Sequence, residues 1–446
     1  MRVFMLGWEF PPLISGGLGT ACYGLTKAMS RQQVQIIFVL PKDIGAEYST
    51  HVKLLSPQSS RAAWGDRSPQ SVASTYALDA VAGKSPFDNV VFKAVPSRMK
   101  SPYQSAGGVL RHAMPSTDQH AQRDRFEGPG VGEIDYQGDL VAEAHRFASL
   151  CVDLARGEDF DVIHAHDWMT FPAGLAIAAV TAKPLVVHIH STEFDRSGEH
   201  VNQPVYDIER CGMHGAKRVI AVSYLTKSII AHRYGIESKK IDVVYNGIDN
   251  GRPVQIPHRQ TGISRSDRIV LFLGRITMQK GPEYFVRAAK KVLEKIRNVK
   301  FVMAGSGDKV RDVIELATDE GIGHRVLFTG FLRGTDVRRV FQMADVYVMP
   351  SVSEPFGIAP LEAIRHDVPV IISKTSGVSE VLTHALKVDF WDTDEIANKI
   401  IAVLRHPPLS STLREQADLE VRGLTWEGAA RKCKTVYQHA IGAVGA

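Results

Sequence analysis

The segment GRITMQKG, residues 274–281, places Arg275 and Lys280 between two glycines. Two fixed cations on a short loop suit a phosphate or diphosphate, which binds fork-like guanidinium donors and a point charge together. The flanking residues say what kind of loop this is. RIVLFL (268–273) is an apolar run of strand length, and PEYFVRAAKKVLEKIR (282–297) carries apolar residues at helical spacing. Arg275 and Lys280 therefore belong to a β-to-α loop, on the sheet edge where open α/β folds bind ligands. Two charges on a loop are more often a solvated pair, so the assignment depends on what other strand ends bring to the same edge.

Several do. In SVSEPFGIAPLEAI (351–364), Glu354 lies in a loop after the strand DVYVM, and Phe356, Gly357, Ile358 and Ala359 lead into a helix with Pro360 near its start. Free N–H groups there suit an anion. Glu362, expected in the first helical turn, suits sugar hydroxyls. GSGD (305–308) puts Gly305 where a backbone approaches a ligand closely, and TGF (329–331) brings Phe331 to another strand end. In the first half, FPPLISGGLGT opens a helix at Gly16 and Gly17, without the spacing of a dinucleotide fingerprint or the lysine ending of a phosphate loop. HAHDW (164–168) supplies His166 and Asp167 at a strand end, and VVHIHSTEFDR adds His188 and His190, together implying a polar cleft.

These loops need a scaffold that gathers strand ends. Strand-like runs alternate with helical ones along nearly the whole chain, the pattern of βαβ units and a parallel sheet. The alternation pauses over the polar, turn-rich stretch 246–267 and then resumes. The expected architecture is α/β, with two doubly wound, Rossmann-like domains: residues 1–252, a hinge at 253–264, and 265–424. Residues 425–446 form a last helix expected to pack back on the first domain. Stretches 56–75 and 97–138, rich in Ser, Gln, Gly and Pro, read as loop-like insertions.

At 446 residues the chain is long enough for two domains, and a net charge of +5 without dense Lys/Arg runs does not suggest a nucleic-acid binder. The four cysteines are scattered, with no C-x-x-C pair, which indicates neither a zinc site nor a disulfide framework. No run is apolar enough for an integral membrane segment, and the N-terminal MRVFML is too short for a signal core. A cytoplasmic location is expected.

The motifs GGLGT, HAHDW, NGID, GRITMQKG, SEPFGIAPLE and TWEGAA together resemble the retaining glycosyltransferases of the GT-B fold, on the glycogen/starch synthase branch with its sucrose- and mannosyl-transferring neighbours. The resemblance spans the chain apart from the two insertions. The pair Glu354 and Glu362 matches the Glu-x7-Glu signature of that superfamily. It implies that Arg275 and Lys280 hold the donor diphosphate, Glu354 lies by the donor sugar, and backbone amides from Phe356 to Ala359 complete those contacts. Glu362 takes the ribose hydroxyls, and Phe331 lies near the base. Gly16 and Gly17 approach the diphosphate, Gly305 lies on the donor side, and His166 flanks the reacting carbon. Two stretches depart from glycogen synthases: Ile14 and Ser15 stand where those enzymes carry a lysine two positions before the glycine pair, and TSGV (375–378) has Ser376 for a glycine.

The implied reaction moves a sugar, most simply glucose, from a nucleoside-diphosphate sugar such as ADP- or UDP-glucose to a carbohydrate acceptor through an oxocarbenium-like state. No cofactor is expected. The cations replace a metal, and no Asp-x-Asp or His cluster stands at a plausible position to hold one. Alternatives are a small sugar, a sugar phosphate or a lipid as acceptor, an epimerase on the same fold, and a non-catalytic nucleotide-sugar-binding subunit. The presence of both Glu354 and Glu362 beside both cations disfavours the last of these, since a binding module has no need of the first carboxylate.

Overall fold

The computed structural model describes residues 1–11, 16–41, 90–94, 140–249 and 267–442. The stretches 56–75 and 97–138 and the hinge 253–264 lie outside them. The first part of the chain runs β1 (Arg2–Leu6), α1 (Gly17–Arg31), β2 (Gln35–Leu40), β3 (Val90–Ala94), α2 (Leu140–Arg156) and β4 (Val162–His166). It continues through α3 (Phe171–Thr181), β5 (Leu185–Ile189), α4 (Glu193–Ser197), α5 (Gln203–Gly215), β6 (Arg218–Ala221), α6 (Tyr224–Tyr234) and β7 (Ile241–Val243). Then come β8 (Arg268–Leu273), α7 (Pro282–Leu293), β9 (Val299–Ala304), α8 (Val310–Asp319), β10 (Val326–Gly330) and α9 (Thr335–Met343). The chain ends with β11 (Val346–Met349), α10 (Ile358–Arg365), β12 (Val370–Ser373), β13 (Leu386–Val388), α11 (Thr393–Arg405), α12 (Pro407–Val421) and α13 (Trp426–Gly442).

The strands form two sheets, ordered β3-β2-β1-β4-β5-β6-β7 and β10-β9-β8-β11-β12-β13, with parallel pairing throughout. The α/β architecture of two doubly wound layers is the one expected. In each sheet the order reverses once, between β1 and β4 and between β8 and β11. Crevices open at such switch points, outside the carboxyl ends of the strands.

Both faces of each sheet are covered, so the strands are apolar on both sides. In the first sheet Phe4, Leu6, Ile163 and Val187 pack against α2 and α3. Val3, Met5, Phe38 and Val186 face α1 and α13. Helix α13 thus returns to the first sheet after the chain has built the second. Its Trp426 is seated on Gly24 of α1, where a Cβ would come 2.2 Å from the indole. The two crossings between sheets run side by side: Ile248 N donates to Leu424 O at 2.9 Å, and a Cβ at Gly247 would lie 2.2 Å from Trp426 N. This contact gives the NGID and TWEG segments a shared structural role.

Strands β7 and β13 escaped the sequence reading. Each is a three-residue edge strand, IDV and LKV, with two half-buried positions and a partner on one side only. Neither carries enough apolar run to signal a strand.

Candidate active site

The sequence-predicted residues of the second sheet come from loops that follow β8, β9, β10 and β11. Close backbone approaches lock three of these loops together. Gly305, at φ +144°, has no room for a side chain because a Cβ would lie 1.9 Å from Gly274 O. A Cβ at Gly307 would lie 2.2 Å from Ile276 O, and Ile276 N donates to Ser306 O at 2.9 Å. Gly281, at φ +61°, abuts Pro350 O in the same way, and Val352 N donates to Gln279 O at 2.9 Å. The Arg275–Lys280 loop is therefore held between the GSGD turn and the loop that carries Glu354.

Lys280 Nζ donates to Glu354 Oε2, joining two residues that the sequence reading had given separate roles. Glu354 is fixed from its backbone as well: its N–H donates to Thr375 O at 3.0 Å, and its carbonyl accepts from Gly377 N at 2.8 Å. Arg275 is half-buried on the same loop. Gly357 adopts φ +103° and leads directly into α10, leaving Ile358 and Ala359 partly accessible at the helix start. Phe356 is buried, its ring stacked on Tyr245 at 5.7 Å, so only its backbone is available to a ligand.

Glu362 lies in the second turn of α10 rather than the first, because the helix begins at Ile358. Its carboxyl has no ion-pair or hydrogen-bond partner among the described residues, and burial pushes its pKa up to about 7. Both Glu362 and Glu354 act on the buried Tyr347 hydroxyl, which places the two carboxylates around the β8–β11 switch point. Phe331 stands apart, 48% exposed at the end of edge strand β10, with the Arg333 guanidinium 5.2 Å from its ring.

The first sheet contributes an open helix start and a set of imidazoles. Among the described residues nothing lies within 4 Å of where a Cβ would stand at Gly16 or Gly17, at the start of α1. His166, expected to flank a reacting carbon, is buried, with Nδ1 2.9 Å from His190 Nε2 and Nε2 without a partner among the described residues. Strand alternation explains this: residues 164 and 166 of β4 point to the face covered by α1 and α13. The partly accessible imidazole is His190, just beyond β5. Asp167 holds it there, accepting from His190 N at 2.7 Å. Asp167 itself sits at φ +56°, a conformation that costs a non-glycine residue roughly 1–3 kcal/mol, and burial pushes its carboxyl up to about 7. Burial also lowers His190 and His164 to about 3, and lowers His166 and His188. All four imidazoles are neutral at neutral pH.

His164, His166 and His188 bring ring nitrogens within 4.8 Å of one another. The grouping exists only because β4 and β5 pair with His166 opposite His188.

The sequence reading also passed over a bond between the two halves. Ser353 Oγ donates to Asp195 Oδ1 at 2.5 Å, while Asp195 Oδ2 accepts from Thr192 N and Oγ1 at 2.7 Å each. The segment STEFD had no spacing that marked it as functional. No helix among the described residues is long and apolar enough to cross a membrane.

Comparison with known proteins agrees with this geometry. The family described as "Glycosyl transferases group 1" matches residues 255–419, and "Glycosyltransferase Family 4" matches 116–252. A glycosyltransferase of Methanocaldococcus jannaschii is 33% identical over 65% of this chain and 77% of its own length. Glycogen synthase of Mycobacterium tuberculosis is 24% identical over 86% of this chain and 80% of its own. Among solved structures, Anabaena HepE in complex with UDP and glucose superposes with a TM-score of 0.68 at 18% identity, covering 98% of this chain and 100% of that one. With these sheets, loops and relatives together, the chain belongs to the glycosyltransferases of the GT-B fold and is of glycogen synthase-like type.

Proposed function

We propose that the protein is a retaining, metal-independent hexosyltransferase that moves glucose from a nucleoside-diphosphate glucose, UDP- or ADP-linked, to a carbohydrate acceptor. The observation that carries the reading is the convergence on one switch point of two cations, a helix start and two differently placed carboxylates. HepE, bound to UDP and glucose, supports a nucleotide-sugar donor.

Arg275 and Lys280 draw off the negative charge of the departing diphosphate, assisted by the backbone of Gly357 to Ala359 and, across the cleft, by Gly16 and Gly17 at the start of α1. Such preorganised donors act where charge develops and need no reorganisation during the reaction. Glu354 addresses the sugar. Lys280 stays within reach of its carboxylate, so displacement toward the diphosphate leaves Glu354 free for a sugar hydroxyl. Glu362, unpartnered and desolvated, takes two ribose hydroxyls, which replace its missing hydrogen bonds. Phe331 lines the base side. His190 presents its imidazole to the reacting sugar, with His166 behind it.

The test is a panel of UDP-, ADP- and GDP-sugars against glucose, sugar phosphates, maltooligosaccharides, glycogen and a lipid acceptor, with the product anomer read by NMR. An α-linked glucoside on an oligosaccharide is the expected product. A β-linked product overturns retention. Donor binding without turnover on any acceptor makes the chain a binding subunit.

A further inference from the structure

We propose that Asp195 and Ser353 are positioning residues for the transfer step: helix α4, anchored in the first half of the chain, sets through their bond where Glu354 stands. Ser353 immediately precedes Glu354, and its hydroxyl donates to the buried Asp195 at 2.5 Å. Helix α4, which carries Asp195, also comes against the turn Met278–Lys280. One short helix therefore meets the chain beside both members of the Lys280–Glu354 pair.

The anchoring of α4 makes it a support. Thr192 and Asp195 cap each other: Asp195 N donates to Thr192 Oγ1 at 3.3 Å, and Asp195 Oδ2 accepts from Thr192 N and Oγ1. With Oδ2 occupied there, Oδ1 is left for Ser353. Arg196 then binds the helix to its surroundings. Its Nε donates to Glu193 Oε2 at 3.0 Å, Nη1 to Ser191 O at 3.2 Å, and Nη2 to Glu209 Oε1. Glu209 also accepts from the Tyr234 hydroxyl and from Glu193 N at 3.0 Å. Charges held this far from water are costly unless each is paired and hydrogen-bonded, so a fully paired network tolerates little displacement. The bond to Ser353 adds nothing to this network, since α4 is capped and paired without it. Its effect falls on the other partner, the loop that carries Glu354. The same network braces Ser191, next to His190, so the imidazole and the carboxylate assigned to the sugar share one frame.

The inference rests on the proposed role of Glu354 and predicts a division of effects. Arg275 and Glu362 do not reach α4 through this bond, so its loss should slow transfer and spare nucleotide binding.

The test compares Ser353→Ala, Ser353→Thr and Asp195→Asn in the full chain. Ser353→Ala deletes the bond and leaves the cap of α4 whole. Ser353→Thr keeps a hydroxyl, and Asp195→Asn keeps an acceptor for Thr192 while its amide donates to Ser353, whose hydroxyl accepts as well as donates. In Ser353→Ala, kcat is expected to fall about 10- to 100-fold, the scale of a misplacement of about 1 Å, with UDP affinity within about threefold of wild type. The two conservative variants are expected to stay near the wild-type rate, and the double variant Ser353→Ala, Asp195→Asn to match Ser353→Ala alone, because both act through one bond. Hydrogen exchange reads the contact without turnover: in Ser353→Ala, amides of 352–357 should exchange faster while those of 192–197 keep their protection. A Ser353→Ala protein with wild-type kcat, or one whose UDP affinity falls as far as its rate, overturns the proposal. Wild-type protein that transfers to no acceptor overturns the transferase reading instead, and exchange then decides the contact: unchanged protection of 352–357 overturns it.

Discussion

Glu362→Gln separates the cost of the site from its use. The wild-type carboxyl titrates at about 7 instead of 4.5 because burial disfavours its charge. At roughly 1.36 kcal/mol per pH unit, that displacement corresponds to at most about 3 kcal/mol of lost stability when the group is ionised, an upper bound because part of Glu362 stays accessible. The sign follows from proton counting. Between pH 4.5 and 7 the folded chain binds more protons at this site than the unfolded one, so this contribution is complete below 4.5 and is lost as pH rises through 7. Glutamine carries no charge to bury. The free Glu362→Gln protein is therefore expected to unfold at a higher temperature than wild type at pH 8, with the difference gone at pH 4.5. Ligand binding is expected to move the other way. Hydrogen bonds to a charged acceptor are worth about 1.5–3 kcal/mol, so UDP should bind roughly 10- to 100-fold more weakly to the variant. Wild-type binding near pH 7 should also release a proton, visible as a buffer-dependent enthalpy in calorimetric titration. A variant that binds UDP as tightly as wild type, or that is no more stable at pH 8, refutes the reasoning.

Arg275→Ala is expected to cost ~2–4 kcal/mol in kcat/KM, the scale for removing one preorganised donor to a developing anion; near wild-type kinetics would return Arg275 to a surface role. Glu354→Gln should depress kcat while leaving UDP affinity within about threefold of wild type, since it removes an interaction made with the sugar and not the nucleotide. Steady-state kinetics beside calorimetry separates the two effects. Turnover should need neither magnesium nor manganese, so exposure to EDTA should leave the rate unchanged; loss that magnesium or manganese restores counts against Arg275 and Lys280 as the charge-bearing pair. His190→Phe should lower kcat at least tenfold without changing the far-ultraviolet spectrum, because imidazole groups acting in a transition state contribute on the order of 10²- to 10⁴-fold.

Strand ends were the legible part of this protein. Each loop that mattered follows a strand of four to six residues such as VYVM, RVFML or RIVLFL, and glycines such as Gly281 and Gly305 mark where backbones meet. What escaped was whatever depends on the pairing of strands. The burial of His166 is one case: HAHDW looks like a strand followed by a loop, and β4 continues through His166 with its ring under α13. The histidine cluster needs the register of β4 against β5, which no local pattern encodes. Glu362 was assigned to a first turn because Pro360 suggested the helix start, whereas α10 begins two residues earlier, at Ile358, directly after the positive φ of Gly357. The role of Asp195 depends wholly on a partner far away in the chain, Ser353.

That partner changes how the two carboxylates are best understood. Glu354 stands between two bonds to the other half of the molecule: Ser353 Oγ reaches Asp195 of α4, and Pro355 O accepts from Thr226 Oγ1 of α6 at 3.3 Å. A third tie lies close by, where Glu380 accepts from Tyr224 N and Leu225 N at the start of α6. The position of Glu354 is thus set by both sheets at once. Glu362, inside α10, is carried mainly by the second sheet. Under the proposed roles, a nucleotide can bind to one half alone, while the carboxylate that acts on the sugar comes into register only when the two halves meet. Binding and transfer then draw on different parts of the same loop and helix.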